Sequence, residues 1–220
     1  MEGGVQKVSV NGGEIVLDAA RFIARSGLVA GTWGNVSLRE GDLVYITPSG
    51  VPYDELEVED IAVVSLESGE QIDGRKRASS ELPMHLEIYK NLEVKAVVHF
   101  HSVYATAFAV MRKPVPCYVE DQAQIIGGKI EVAEYALPGT WELARNVVKA
   151  LRNKFGALLA NHGAVAVGRS MKEALIAAQI IEKSAQVALL VGESGVPLSD
   201  EDVKKLRKGY IESYSRNISR

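Results

Sequence analysis

Val97-Val98-His99-Phe100-His101 reads as a buried strand, and strand alternation puts the imidazoles of His99 and His101 on one face. Two nitrogen donors side by side at a strand end are the start of a metal site. A third imidazole lies in Ala160-Asn161-His162-Gly163, at a tight turn between two short apolar runs, and a carboxylate lies in Ala78-Ser79-Ser80-Glu81. Alone, each histidine would be read as a hydrogen-bonded core or surface residue. Jointly, the spacing points to His99, His101 and His162 around one divalent ion, with Glu81 nearby. Three imidazoles leave a position open for water or substrate, which is the catalytic arrangement. The remaining histidine, His85 in Pro83-Met84-His85-Leu86, falls in a helix away from this pattern and reads as structural.

Outward from this strand, helical periodicity covers 82–92 before it and 103–111 after it. The chain opens with a helix over 14–25, closed by Gly27, and continues into two alternating segments, 35–39 and 43–47, around the turn Glu40-Gly41-Asp42. The run 61–66 adds a further strand, 129–137 alternates like another, and 140–153 is helical. The segment 157–167 reads as two strands flanking His162; a long helix over 171–192 and a last one over 200–214, capped by Ser199, follow. Hairpins mixed with strand-to-helix passages predict one α/β domain over 1–220, with a mixed, mainly antiparallel sheet flanked by helices.

The 220 residues carry a formal net charge of -3 with no basic block, so neither nucleic acid nor an anionic membrane is expected as a partner. Cys117 is the only cysteine, which excludes an intrachain disulfide and a thiolate-based zinc site. The start, Met1-Glu2-Gly3-Gly4-Val5-Gln6-Lys7, lacks the pattern of a secretory signal, and the cytoplasm is the expected compartment. The apolar stretch 174–190 has Glu182, Lys183 and Gln186 at its centre and helical spacing, as a packed helix would.

Gly31-Thr32-Trp33-Gly34-Asn35-Val36-Ser37 and Thr47-Pro48-Ser49-Gly50 are rich in small hydroxyl and amide residues. Each alone is an ordinary turn sequence. Ser79 and Ser80, next to Glu81, add anion donors beside the acid, so that hydroxyls and backbone N–H groups could converge on a phosphate.

At these residues the sequence resembles the class II aldolase and adducin head family, nearest its L-fuculose-1-phosphate aldolase branch. The likeness rests on Gly34-Asn35-Val36-Ser37, Thr47-Pro48-Ser49-Gly50, Ser79-Ser80-Glu81 with Pro83-Met84-His85, His99-Phe100-His101, Tyr135 before Pro138-Gly139-Thr140, and Asn161-His162-Gly163. It implies one zinc ion per subunit on His99, His101 and His162, with Glu81 close enough to bind it. It also implies phosphate recognition by Gly34, Asn35, Ser49, Gly50, Ser79 and Ser80 in a phosphorylated ketose substrate. Glu81 would move a proton at the carbon next to the phosphorylated group, and Tyr135 from a neighbouring subunit would handle the aldehyde oxygen in a fourfold homotetramer. Tyr210 and Tyr214 are further candidates to reach a site. The expected reaction is cleavage of a deoxyketose 1-phosphate to dihydroxyacetone phosphate and an aldehyde. The alternatives are a ribulose phosphate 4-epimerase with Glu120 or Asp121 as an extra acid, a methylthioribulose-1-phosphate dehydratase, and an adducin-like assembly module without catalysis.

Overall fold

The computed structural model of the protein describes residues 10–214. Helix α1 (Val10–Arg25) ends at Gly27 and leads into the hairpin β1 (Gly34–Glu40) and β2 (Leu43–Ile46). Strands β3 (Ala62–Ser65) and β4 (Gln71–Asp73) follow, then α2 (Leu82–Asn91), β5 (Ala96–Phe100) and α3 (Val103–Met111). Next come α4 (Glu120–Ile125), β6 (Glu131–Ala133), α5 (Trp141–Leu151), β7 (Gly156–Leu159) and β8 (Gly163–Gly168). The chain closes with α6 (Met171–Val191) and α7 (Asp200–Gly209).

The eight strands form one open sheet in the order β4-β3-β2-β1-β5-β8-β7-β6, antiparallel throughout except for the β6–β7 pair. The strand of the histidine pair, β5, lies in the interior of the sheet between β1 and β8. Val98 and Phe100 face a core completed by α1, α3 and α6, whereas Val97 faces one completed by α2 and α5. His99 shares the face of Val97, as alternation requires. The sheet is therefore the middle of three layers, and the metal-type residues sit at one end of it.

Helix α6 is long and apolar enough by composition to cross a membrane, yet Ala174, Ala177, Ala178, Ile181 and Ala185 are buried in the core against the sheet and α3. Its Glu182 ends a different helix. The first residue before α3, Ser102, makes no capping bond to that helix; its Oγ donates instead to Glu182 Oε2 at 2.6 Å. The backbone N–H groups of Tyr104 and Ala105 donate to the same carboxylate at 3.1 and 2.9 Å, so an acid from α6 satisfies the positive end of α3. This fixes the chain immediately after His101.

Two elements escape the sequence pattern. The three-residue edge strand β4 and the six-residue helix α4 are too short for periodicity to register. The alternation over 129–137 is also misleading: Glu131–Ala133 pair with β7 and Ile130 makes a single bridge to Val115, but Tyr135 lies in the loop beyond, half exposed. The ladder stops at Ala133 because its partner strand β7 ends at Leu159, directly opposite.

The carboxylate of Glu173, fully buried near the start of α6, accepts the Arg169 guanidinium at 2.6 Å, the Arg169 backbone N–H at 2.7 Å and the Tyr210 hydroxyl at 2.8 Å. Arg207 from α7 lies over the Phe155 ring at 4.3 Å and donates to the carbonyls of Gln124 and Ile125, which pins the C-terminal helix to the body. Burial alone would raise the Glu173 pKa, but the Arg169 and Tyr210 bonds outweigh it and hold the acid below its ordinary value. A depressed carboxylate contributes stability above its unfolded pKa and loses it as pH falls. Acidification from pH 7 to about 3 should therefore cost the wild type more than Glu173→Gln, this one group contributing at most about 2 kcal/mol of the difference. Urea midpoints followed by circular dichroism at the two pH values check this.

Candidate metal centre

Sheet register builds the site. Asn35 of β1 lies directly opposite His99 of β5, and Phe100 lies opposite Ala164 of β8, so three strands end together. Gly34 has φ +133°, and a Cβ there would come within 2.8 Å of the His99 carbonyl oxygen. The turn that carries His162 is left-handed at Asn161 (φ 55°), a conformation asparagine tolerates. Asn161 N–H donates to the Ala109 carbonyl at 3.1 Å, and its Oδ1 accepts from Arg112 Nε at 3.0 Å, so the turn is braced on the far end of α3. Gly163 must be glycine for a local reason. A Cβ there would lie 2.7 Å from the His101 ring and 2.5 Å from the Phe100 oxygen.

The rings of His99, His101 and His162 stand edge-on to one another, each pair of centroids 4.8 Å apart. One nitrogen from each lies within 4.8 Å of the others. Glu81, in the residue that precedes α2, turns its carboxylate into the same space instead of capping its own helix. Its Oε2 lies 3.0 Å from His99 Nε2, and its Oε1 lies 3.6 Å from His162 Nε2.

The lone pairs show what this arrangement lacks. His99 Nδ1 is 3.0 Å from the Ala164 carbonyl and must donate to it, which leaves a lone pair on Nε2. That nitrogen faces His101 Nε2 at 2.9 Å and the Glu81 carboxylate at 3.0 Å, and Glu81 Oε1 is buried with no hydrogen-bond partner. Acceptors aimed at acceptors need a proton or a cation between them. Three imidazole nitrogens and one carboxylate oxygen are a donor set that suits zinc or a similar divalent ion.

The electrostatics agree. Burial, then the neighbouring imidazoles, push His101 down to about 3; burial and then His99 push His162 down to about 4. Both are neutral donors at pH 7. Burial would lower His99 as well, but Glu81 outweighs it and raises that histidine, while burial would raise Glu81 and is outweighed by His99, His162 and Asn35, which lower it.

Beside the histidines opens a cavity of about 340 Å³ lined by Gly34, Asn35, Ser49, Gly50, Ser79, Ser80 and Glu81, and also by Trp33, Pro138, His101 and His162. Every residue expected from sequence on the metal and anion sides lines this cavity except His99, which lies buried against Glu81, and the Asn35 amide is already committed: Nδ2 to Glu81 at 3.0 Å and Oδ1 to His85. Ser80 N–H donates to Ser49 Oγ at 2.9 Å, tying the two hydroxyl-rich segments together.

Several candidates lie elsewhere. Tyr135 is not among the residues lining this cavity, and a role for it requires a second subunit. Tyr210 is buried against Glu173, and the Tyr214 side chain lies outside the described residues. Neither Glu120 nor Asp121 lines the cavity, and Asp121 pairs with Lys183. His85, expected away from the site, is in fact directly behind it, fully buried, with its Nε2 2.5 Å from Asn35 Oδ1. Sequence spacing could not reveal this, because α2 brings His85 to the sheet through packing. A second residue missed by spacing is Trp33, 68 % exposed, whose ring stacks on His101 with centroids 6.4 Å apart.

The family model of the class II aldolase and adducin N-terminal domain matches residues 14–189. An L-fuculose phosphate aldolase of Methanococcus maripaludis is 39 % identical over 164 residues, 74 % of this chain and 88 % of its own. A 5-methylthioribulose-1-phosphate/5-deoxyribulose-1-phosphate aldolase of Rhodospirillum rubrum is 36 % identical over 206 residues, 92 % of this chain and 91 % of its own. Among solved structures, an L-fuculose 1-phosphate aldolase superposes with a TM-score of 0.89 at 32 % identity, covering 93 % of this chain and 98 % of that one. With a histidine cluster able to hold a metal at the end of this sheet, the chain belongs to the class II aldolase and adducin N-terminal domain family and is, like these relatives, an aldehyde-lyase.

Proposed function

We propose that the protein is a cytoplasmic, zinc-dependent aldolase that interconverts a deoxyketose 1-phosphate with dihydroxyacetone phosphate and an aldehyde. The observation that carries this reading is the convergence of three imidazole nitrogens and Glu81, with His101, His162 and Glu81 lining a cavity that serines and glycines also line. His99, His101 and His162 would hold the ion, with Glu81 at its edge. Bound there, a divalent cation supplies Lewis acidity that polarises a substrate carbonyl.

The remaining chemistry falls to side chains. Ser49, Ser79 and Ser80, with Gly34, Asn35 and Gly50, receive the phosphate through hydroxyls and backbone N–H groups, which needs no lysine when several donors converge. In the direction of addition, Glu81 takes a proton from the hydroxymethyl carbon of dihydroxyacetone phosphate. The electron pair left on that carbon forms the new bond to the aldehyde carbon, and the aldehyde oxygen takes a proton from Tyr135 of a neighbouring subunit. Cleavage is the reverse, with Glu81 returning its proton to carbon. His99, His162 and Asn35 hold the carboxylate anionic in spite of its burial, so it is in the form that can accept a proton. A half-exposed Tyr135 outside its own cavity is consistent with delivery to another subunit in a homotetramer.

Within this reading the tail of the ketose is apolar. Trp33 and Pro138 line the same cavity, and the relatives named above act on fuculose, methylthioribulose or deoxyribulose phosphates. The epimerase reading asks for an additional acid; Asp121 is paired with Lys183, and Glu120, like Tyr135, could act only from a neighbouring subunit. The assembly-module reading is disfavoured by a complete donor set.

The deciding assay incubates the zinc-loaded protein with fuculose 1-phosphate, 5-deoxyribulose 1-phosphate, methylthioribulose 1-phosphate and ribulose 5-phosphate. Dihydroxyacetone phosphate should appear from one or more of the first three; turnover of ribulose 5-phosphate alone, or loss of water without carbon–carbon cleavage, would overturn the reading. His101→Ala should lose stoichiometric zinc and activity while keeping its fold, as read by metal analysis and circular dichroism. Glu81→Gln should keep zinc and slow turnover by about a hundredfold or more, because it removes the proton carrier and leaves the three imidazoles.

A further inference from the structure

A chain of buried polar groups leads from Glu81 into the layer of α2. Asn35 Nδ2 donates to Glu81 Oε2 at 3.0 Å, and Asn35 Oδ1 lies 2.5 Å from His85 Nε2. On its other side His85 Nδ1 lies 2.6 Å from Ser37 Oγ, which in turn lies 2.7 Å from the Tyr89 hydroxyl. Ser37 and His85 are fully buried, and Tyr89 and Asn35 are nearly so.

Every proton in this chain can be assigned by elimination. An ionised carboxylate only accepts, so Asn35 must turn its NH2 group to Glu81 and its carbonyl oxygen to His85. A carbonyl oxygen also only accepts. His85 therefore carries its proton on Nε2, and as a neutral ring it accepts at Nδ1 from the Ser37 hydroxyl. The Ser37 oxygen is then left to accept from Tyr89, whose hydroxyl has the Lys95 carbonyl, 3.4 Å away, as a longer second acceptor. Burial above all, with the His99 charge behind it, pushes His85 down to about 3, in keeping with a neutral ring. All four links donate in one direction, toward Glu81, and aligned links of this kind polarise one another.

We propose that His85 is a positioning residue: by presenting Nε2–H to Asn35 it locks that amide with its NH2 toward Glu81, and so fixes the direction of the carboxylate without touching substrate. The opposite tautomer would leave two acceptors, His85 Nε2 and Asn35 Oδ1, facing each other. Relief by turning the amide would set its oxygen against the Glu81 carboxylate. Only the kinetic consequence rests on the function proposed above; the orientation of the amide does not.

The test compares zinc-loaded wild type with His85→Gln, His85→Leu and Ser37→Ala. Glutamine keeps an N–H for Asn35, leucine has none, and Ser37→Ala removes the donor that holds Nδ1 unprotonated. Nitrogen-15 spectra of the wild type should show His85 as the Nε2–H tautomer from about pH 6 to 8. The Asn35 side-chain amide should be shifted downfield in wild type and His85→Gln. In His85→Leu that shift should be lost and hydrogen exchange of the amide should quicken about tenfold or more. In Ser37→Ala, the milder variant should His85→Leu fail to fold, tautomers should mix and the downfield shift should shrink. In turnover, kcat should fall about tenfold in His85→Leu with KM within about twofold, and recover to within about threefold of wild type in His85→Gln. A mere packing role would penalise both His85 variants alike. An Nδ1–H tautomer in wild type, or an unchanged Asn35 amide in folded His85→Leu and Ser37→Ala, would overturn the proposal. Should the wild type turn over no ketose phosphate, the aldolase reading fails, whereas the Asn35 amide still decides the role of His85.

Discussion

The structure turns on one buried negative charge. Glu81 sits 7 % exposed with an imidazole on either side of its carboxylate, and one of its oxygens has no hydrogen-bond partner. A carboxylate in such a place is tolerable only if positive charge and directed donors meet it. The protein supplies them from three separate elements: Asn35 on β1, His99 on β5 and His162 in the turn before β8. The sheet order, with β5 between β1 and β8, brings these ends together. A fold without that order would have to separate the acid from its partners.

The demands of that charge also explain features that look local. Gly34 and Gly163 keep backbone and ring within reach, and the left-handed Asn161 aims His162. Each costs stability relative to an ordinary residue in relaxed geometry, and such positions cluster where chemistry is done. Asn35 is the hinge of the arrangement, since one end of its amide serves Glu81 and the other His85.

Much of this was legible from sequence because it depends on period. Alternation put His99 and His101 on one face, and the three-layer architecture followed from hairpins and helices in the expected places. What was not legible depends on packing between distant elements. His85 looked remote because a helix period says which face a residue occupies, not which strand that face meets. Tyr135 looked like a strand residue because alternation continued past the point where the sheet ran out of partners. Glu182 looked like no more than a charge interrupting an apolar helix, and it serves as the cap of α3.

Helix α3 contributes no histidine to the cluster, yet it acts as a strut between two of them. Its first turn is clamped by Glu182 just after His101, and its last turn holds the His162 turn through the Ala109 carbonyl and Arg112. One extra residue within α3 would rotate that last turn by about 100° relative to the first and carry both braces away from Asn161. Such a chain would still contain every histidine, serine and glycine of the site in the right order. The length of an unremarkable helix is thus as much a part of this site as its motifs, and a comparison based on motifs alone would pass over its loss.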